Sequence, residues 1–257
     1  MALTKVRGKA VDGGTISTET AGTNNLILGS TAGDSIASGG NYNVCIGDTA
    51  GTALTTGDNN VAIGFEALAT EDADGSNTAV GYRALKTLNA GAEGNNTAVG
   101  KDAGLSVTTG VNNTIIGGGA GDALLTGGQN TLVGAFAGSE YTVGEKNTAI
   151  GYDALLTDTK GSKNTAVGKG ALTTQNFTSA TDSHNTAVGH DAGNDVTSGT
   201  NNTFIGSQAG AKSTSGSHNT AIGYGSFGGV DASSANNGEQ NTCVGRFAGR
   251  NLEGNAD

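Results

Sequence analysis

A short motif occurs thirteen times along the chain, and its spacing restricts the possible folds more than any other feature. The motif is Asn, Thr or an aliphatic residue, a variable residue, an aliphatic residue and Gly. Twelve intervals separate the motifs, and eight of them are 17 residues long. A short, regular repeat is typical of a solenoid, in which each unit contacts its neighbours. The motif begins at Asn25, Asn43, Asn60, Asn77, Asn96, Asn113, Asn130, Asn147, Asn164, Asn185, Asn202, Asn219 and Asn241.

The motif favours a β-strand over a helix. Its Gly would cost about 1 kcal/mol in each helix, and side chains alternate between two faces of a strand, so that Thr78 and Val80 share one face and Ala79 takes the other. We therefore predict an all-β fold, a parallel β-solenoid (β-roll) of about thirteen 17-residue coils. Each coil is expected to hold two short strands and two turns. Stacking at about 4.8 Å gives a rod roughly 60 Å long.

The recurrent polar and small residues have predicted roles at the coil corners. The motif Asn is expected to adopt a left-handed backbone conformation and to bond through its side-chain amide to the equivalent Asn of the next coil. The motif Gly, for example Gly81, is expected at a bend where a Cβ would clash. The longer intervals place insertions near residues 88–94, 175–183 and 230–239, which we expect to be surface loops.

The two strand faces are assigned from their hydrophobicity. The Val80 position is always Ile, Val or Leu, which predicts the inner face. The Ala79 position is never polar, so we expect copies of the same chain to cover it in a parallel homotrimer. In the alternative, the Ala79 face packs on the chain's own second strand and the Thr face lies outside. The trimer-interface candidates are Ile27, Cys45, Ala79, Ile115, Leu132, Phe204 and Cys243.

Composition excludes several classes of protein. The chain has 257 residues with 46 Gly, and it has no Pro, which a collagen triple helix requires. A net charge of -10 without a basic cluster argues against a nucleic-acid partner. No apolar stretch is long enough for membrane insertion. In the predicted rod, Cys45 and Cys243 are about 50 Å apart, too far for an intramolecular disulfide.

Motifs that would suggest an enzyme coincide with the repeat. Gly223, Gly225 and Gly228 match a dinucleotide-binding fingerprint, but no βαβ pattern surrounds them. His184 and His218 precede motif Asn residues at predicted corners, so they give no reason to expect a catalytic triad. We predict no catalytic residues, no cofactor and no metal site.

Acidic residues leave one enzymatic alternative. Paired carboxylates hydrolyse glycosides in many enzymes, and one repeat position carries an acid on several coils. These acids are Glu66, Asp102, Asp153 and Asp191.

The repeats resemble two known groups of proteins. The segments NTAVGYRAL, NTAIGYDAL, NTAVGKGAL and NTAIGYGSF are similar to the head domains of trimeric autotransporter adhesins, whose coils stack as a left-handed parallel β-roll trimer. They also resemble repeats of bacteriophage tail fibres, and the opening MALTKVRGKAVDGGTIS is similar to the start of tail fibres from phages of marine cyanobacteria. The repeat resemblance covers residues 25–250. It implies a trimeric rod and leaves the ligand open.

Two departures from the adhesins favour the phage fibre, and this interpretation also explains a missing secretion signal. The 17-residue period is longer than is usual in adhesin heads, no coiled-coil stalk or membrane barrel follows Asp257, and the start lacks a secretion signal. A virion fibre is assembled in the host cytoplasm and released by lysis, so it needs no such signal. Under this resemblance, residues 1–24 attach to the virion or cap the rod, residues 25–250 form the repeat domain, and residues 251–257 form a tail.

The resulting functional prediction is a non-enzymatic virion tail fibre that contacts the host cell surface. Its expected partners are copies of itself, other tail proteins and a host surface receptor such as a glycan. A cell-surface adhesin and a polysaccharide-degrading tailspike are the alternatives. The receptor-contact candidates lie in or beside the insertions and are Asn89, Glu93, Phe177, Asp182, Asp231 and Glu239.

Two further patterns bear on binding. When the residue after the motif Gly is aromatic, as at Tyr82, the residue three positions later is large, as at Leu85. We expect the two to pack together at a corner; the alternative is a ring platform for sugars. A Thr ladder suggests ice binding as another alternative, although it shares the aliphatic face that we predict to be buried. The ladder comprises Thr78, Thr97, Thr114, Thr131, Thr148 and Thr165.

Overall fold

The computed structural model describes residues 16–17, 20–73, 75–91, 93–228, 237–250 and 252. Within these ranges the chain is all-β and contains no helix, so no helix there could cross a membrane. The predicted β-solenoid is confirmed: parallel strands recur mostly every 17 residues and stack in sequence order. The attachment segment assigned to residues 1–24 lies outside the described residues except for 16–17 and 20–24.

Fourteen of the strands form one continuous sheet. The short β1 pairs antiparallel with β2, and every later neighbour in the sheet is parallel. A second, two-stranded sheet joins β10 to β12. The strands are β1 Ile16–Ser17, β2 Leu26–Leu28, β3 Val44–Ile46, β4 Val61–Ile63, β5 Thr78–Val80, β6 Thr97–Val99, β7 Thr114–Ile116, β8 Thr131–Val133, β9 Thr148–Ile150, β10 Gly161–Ser162, β11 Thr165–Val167, β12 Thr181–Asp182, β13 Thr186–Val188, β14 Thr203–Ile205, β15 Thr220–Ile222 and β16 Thr242–Val244.

The register places equivalent residues of successive coils beside one another. Thr97 pairs with Thr114 and Ala98 with Ile115, and the same correspondence holds along the sheet. In the described ranges, a coil contributes one three-residue strand, and only β10 and β12 add a second. The expectation of two strands in every coil was therefore wrong. The return segments are turns that bond to the next coil, as when the Thr108 amide donates to the Leu125 carbonyl at 2.8 Å.

Each coil turns sharply at residues with positive φ. In the coil of β7, φ is 60° at Asn112, 139° at the motif residue Gly117, 65° at Gly119 and 51° at Gly121. A Cβ on Gly117 would collide with the carbonyl oxygen of Gly134 in the next coil. The motif Gly is thus required both by its φ and by the close approach of the coils.

The motif asparagines form the predicted ladder inside the solenoid. Asn113 is 1% exposed, and its side-chain oxygen accepts the backbone amide of Asn130 at 2.9 Å. Its Nδ2 donates to the Gly127 carbonyl at 3.0 Å. The left-handed conformation belongs instead to the residue before the motif, such as Asn112, because the motif Asn is already aligned with the strand that follows.

The core lies on the Ala79 side of the strands, so the predicted inner and outer faces are reversed. The middle residue of each strand is covered by residues of its own chain. These are the third, fourth and seventh residues after the motif Gly. The alternative, in which this face is covered by the same chain, is correct, although turns rather than a second strand provide most of the cover. The candidates for a trimer interface are buried at 5% exposure or less: Ile27, Cys45, Ala79, Ile115, Leu132, Phe204 and Cys243.

Core volume explains this arrangement. Where the fourth residue after the motif Gly is large, as at Leu85, the middle strand residue is Ala, as at Ala79. Where the middle residue is large, as at Phe204, the fourth residue is Gly, and a Cβ on Gly210 would lie 2.5 Å from the Phe204 ring. A thin coil has room for only one large side chain at this level, and close packing penalises both a void and an overlap.

Candidate functional site

The first and third residues of β2–β9, β11 and β13–β16 point away from the core, and we call them the outer strand face. The third residues are the more exposed: Ile116 is 38% exposed, and Val244 in the last coil is 66% exposed. The first residues are mostly Thr and are mostly half-buried. No residue of this face is charged, although the chain's net charge is -10.

This outer strand face is a regular array of methyl groups and hydroxyls. Its two rows follow the strand register, so Thr114 lies between Thr97 and Thr131, and Ile116 between Val99 and Val133. Apart from β1 the strands of this sheet are parallel, and parallel sheets are almost always covered on both faces. One face of this sheet is covered by the chain itself, whereas nothing within the described residues buries the other to the same degree.

A second surface is an aromatic corner, formed by rings at the first or second position after the motif Gly. Phe65 and Tyr82 stack in successive coils, with centroids 5.4 Å apart and an interplanar angle of 15°. Phe136 and Tyr152 meet edge to face at 6.2 Å. The third pair, Tyr224 and Phe247, is also edge to face.

These rings do not pack where the sequence predicted. Phe65 is 41% exposed, whereas Leu68 is fully buried in the core, so the expected packing of the two at one corner is wrong. The fourth residue after the motif Gly has a left-handed backbone that directs it inward, and the ring at the first position remains outside. The rings are therefore accessible to a ligand.

Charged side chains line the coils beside the first aromatic pair. Arg83 donates to Asp102 at 2.8 Å and lies 4.8 Å from the centroid of the Tyr82 ring. The hydrogen bond to Asp102 raises the pKa of Arg83 above its ordinary value. Lys86 pairs with Glu66 at 2.7 Å. These ion pairs connect successive coils along the surface, where each stabilises the fold only weakly.

The structure places four of the six receptor-contact candidates on the surface: Asn89, Glu93, Asp182 and Glu239 are exposed. Asp182 also accepts from Lys163 at 2.5 Å, which lowers the pKa of its carboxyl group. Asp231 lies outside the described residues.

Phe177 is 7% exposed, so its prediction as a receptor contact was wrong. The insertion that carries it is tied to the preceding coil by the β10–β12 pairing and by a bond from Thr159 to the Phe177 carbonyl at 3.0 Å. Gln175 and Ser183, at the ends of this insertion, are also buried. The insertion is therefore a surface loop, as predicted, but it is anchored to the rod at Phe177 and at both ends.

The acidic residues considered for glycoside hydrolysis have other partners. Glu66 pairs with Lys86 and Asp102 with Arg83, and the Asp191 carboxylate lies 3.1 Å from Nδ1 of His190. Partial burial raises the pKa of Asp153. No group of three His, Cys, Asp or Glu side chains suited to a metal ion occurs in the part of the chain that the structure describes.

A polar stack inside the core was missed from the sequence. Tyr141, Asp158 and Gln175 occupy the seventh position after the motif Gly in three successive coils, where most coils carry an apolar residue. Gln175 donates to Asp158 at 2.6 Å and accepts from Asn185 at 2.8 Å. Burial is the main cause that raises the pKa of Asp158. Alignment of the repeats at this position would have revealed the stack.

Comparison with known proteins assigns no family to the chain. No protein-family model, curated protein or solved structure matches it.

Proposed function

We propose that this chain forms the rod of a virion tail fibre that associates with copies of itself and contacts the host cell surface without catalysis. The observation that supports the self-association is the outer strand face, which is uncharged and rich in aliphatic side chains. The virion assignment rests on the sequence resemblance to tail fibres. A cell-surface adhesin and a degrading tailspike remain the alternatives to it.

The size of the outer strand face supports a partner. Thirteen three-residue strands run through it, and with spacings of about 4.8 Å between strands and about 3.3 Å between residues its area is roughly 600 Å². Monomeric proteins seldom expose continuous apolar surfaces beyond a few hundred Å². At roughly 600 Å² the face reaches the upper end of the largest apolar patches on typical monomers, about 300–600 Å², which favours coverage by another molecule.

The period of the face favours copies of the same chain as that cover. A parallel copy has the same spacing between coils. The Thr and the aliphatic residue of each coil would therefore face the equivalent residues of the copy along the whole rod. Neither copy would bury a charge, which avoids the cost of desolvating one. The number of copies, three, comes from the resemblance to trimeric fibres and adhesin heads.

Molar mass in solution tests the assembly. Light scattering coupled to size exclusion should give about 75 kDa, three times the 25.0 kDa of the chain. Ile116→Asp should reduce it to the monomer mass, because Ile116 lies on the outer strand face. Leu125→Asp should leave the molar mass unchanged, because Leu125 lies in the same coil but away from the strand. The two positions are comparably exposed, Ile116 at 38% and Leu125 at 41%. A monomeric wild type, or an unchanged Ile116→Asp variant, would contradict the proposal.

Two further measurements separate the virion fibre from its alternatives. Antibodies against the rod should label purified virions and not the surface of uninfected cells, whereas an adhesin would give the reverse. Incubation with host polysaccharide should release no reducing ends. Release of such ends would favour the degrading tailspike.

The outer strand face also favours a second candidate function, ice binding. The Thr ladder was predicted to be buried, but the structure places it outside on a regular array of strands. Such an array has the repeated methyl and hydroxyl groups that could order water. Thermal hysteresis by a 25.0 kDa monomer would support this function. The Thr114→Lys variant should then lose the hysteresis. A trimer without hysteresis would exclude it.

A further inference from the structure

A cavity of about 400 Å³ opens on the surface of the coils that carry β13 to β16. Its walls come from residues at the first to sixth positions after the motif Gly in four successive coils. Its lining includes the rings of Tyr224 and Phe247, which we call the aromatic wall, and the side chains of Asp191, Gln208 and Lys212, which we call the polar wall. Polar groups make up more of this lining than apolar groups do, which suits a ligand rich in hydroxyl groups better than an apolar one.

The aromatic wall has a fixed geometry. The Tyr224 and Phe247 centroids are 5.3 Å apart, and the ring planes meet at 66°. Gly225 makes room for this arrangement, since a Cβ there would lie 2.8 Å from the Phe247 ring. The guanidinium of Arg246 is 4.5 Å from the Phe247 centroid but 5.9 Å from that of Tyr224. Tyr224, which is 46% exposed, is thus the more accessible ring.

The polar wall offers both donors and acceptors. Lys212 pairs with Asp195 at 2.7 Å, and each side chain remains about one third exposed. The Gln208 side chain is exposed at the same wall and can donate and accept through its amide. Asp191 adds carboxylate oxygens, which only accept. Positive and negative groups are mixed, so the wall does not select a strongly charged ligand.

We propose that this cavity binds a neutral hexose unit of a surface saccharide. A hexose has one apolar C–H face that can stack on the Tyr224 ring and a rim of hydroxyls that both donate and accept hydrogen bonds. The carboxylate, amide and ammonium groups that line the same cavity match that rim. The inference deepens the proposed function, on which it rests, by naming the chemistry that the rod would contact on a cell.

Saturation-transfer NMR on the full chain tests the proposal. The probes are glucose, galactose and mannose oligosaccharides at millimolar concentration, together with a sialylated and a sulfated oligosaccharide. Transfer should reach at least one neutral probe, and Tyr224→Ala should weaken its binding about tenfold. Tyr152→Ala is the matched control, because Tyr152 occupies the same repeat position and is 50% exposed, but does not line this cavity. Its binding should equal that of the wild type.

Each other outcome contradicts the inference. Absence of transfer from all neutral probes, or binding of the charged probes alone, would overturn it. Equal losses in Tyr224→Ala and Tyr152→Ala would assign any binding to the aromatic corner as a whole rather than to the cavity. An unchanged melting temperature shows that Tyr224→Ala still folds, and Gln208→Ala, in the polar wall of the same cavity, provides a second variant that should weaken binding.

The saccharide assay and the molar mass fail independently. A trimer that binds no neutral saccharide would leave the proposed fibre assembly intact and remove the cavity as a saccharide site. A monomer that binds the saccharide through Tyr224 would retain the site and contradict the assembly.

Discussion

The side-chain oxygen of Asn96 accepts two hydrogen bonds from Asn113 in the next coil, one from the backbone amide at 2.9 Å and one from Nδ2 at 3.2 Å. The side-chain oxygen of Asn113 accepts the same two bonds from Asn130, at 2.9 and 3.2 Å. Each Asn in this stretch also donates Nδ2 to the carbonyl of a Gly 14 residues later, which for Asn113 is Gly127. The ladder therefore satisfies polar groups in the interior and fixes the register of successive coils.

Asn113→Ala should lower the free energy of unfolding by about 2–4 kcal/mol. The substitution leaves the amide of Asn130 and the carbonyl of Gly127 without their side-chain partner in a buried environment. Urea unfolding followed by circular dichroism measures the loss. Thr109→Ala, at an exposed position of the preceding return segment, is the control and should remain within about 0.5 kcal/mol of the wild type. An Asn113→Ala variant as stable as this control would show that the ladder contributes little.

Two adjacent glycines should respond in opposite ways to Ala. Gly117 has a φ of 139° and has no room for a Cβ beside the next coil, so Gly117→Ala should cost about 3 kcal/mol. A Cβ on Gly118 would have its nearest neighbour at 4.0 Å. Gly118→Ala should therefore be neutral or should stabilise the fold by up to about 1 kcal/mol. Denaturant unfolding of the pair, at equal protein concentration, checks the contrast, and equal effects would contradict the close approach of coils at Gly117.

The stacking of coils could be predicted because Gly and Asn, when they recur at short, fixed intervals, have few structural roles. Gly117 stands where only Gly fits, and Asn113 bonds to its own equivalents in neighbouring coils. Both requirements recur with every coil, so they leave a period that can be counted. The predicted parallel solenoid and Asn ladder were consequently correct.

The sequence did not determine which strand face is buried. Alternation separates Ala79 from Thr78 and Val80 but is symmetric between the inside and the outside, and hydrophobicity alone favours Val80 as the buried residue. The decisive signal is the inverse relation between residue volumes, as in Ala79 with Leu85, which indicates that the two fill one space. The cavity beside Tyr224 depends on the alignment of four coils, and a motif within one coil cannot reveal it.

Asp158 should cause the free energy of unfolding to fall as the pH rises above 3.8, the ordinary pKa of an aspartate. Burial raises its pKa in the folded state, so the folded chain retains a proton that the unfolded chain has lost, and the free energy of unfolding decreases through this window. Asp158→Asn should flatten that decrease in urea titrations at a series of pH values.

Asp182→Asn provides the control of opposite sign for this pH dependence. The bond from Lys163 lowers the pKa of Asp182, so its contribution is present above the unfolded value and is lost as the pH falls through the folded one. An Asp158→Asn variant with the same slope as the wild type above 3.8 would show that another group causes the decrease.

The two free cysteines should differ in reactivity because their coils differ in position. Cys45 is fully buried, and burial raises its pKa to about 12, whereas Cys243 is 5% exposed with a raised pKa and belongs to β16 at the end of the sheet. Within the described residues β16 has a neighbouring strand on one side only, and a coil in that position opens more readily than an internal one. Timed alkylation followed by intact-mass measurement should therefore label Cys243 first.

The position of the label distinguishes local opening from global unfolding. In a Cys243→Ser variant the native protein should remain unlabelled, since its single remaining thiol, Cys45, is both inaccessible and almost entirely protonated. Denaturant should expose Cys45 to rapid labelling. Equal rates for the two thiols in the native wild type would mean that the solenoid opens as one unit, rather than coil by coil from its end.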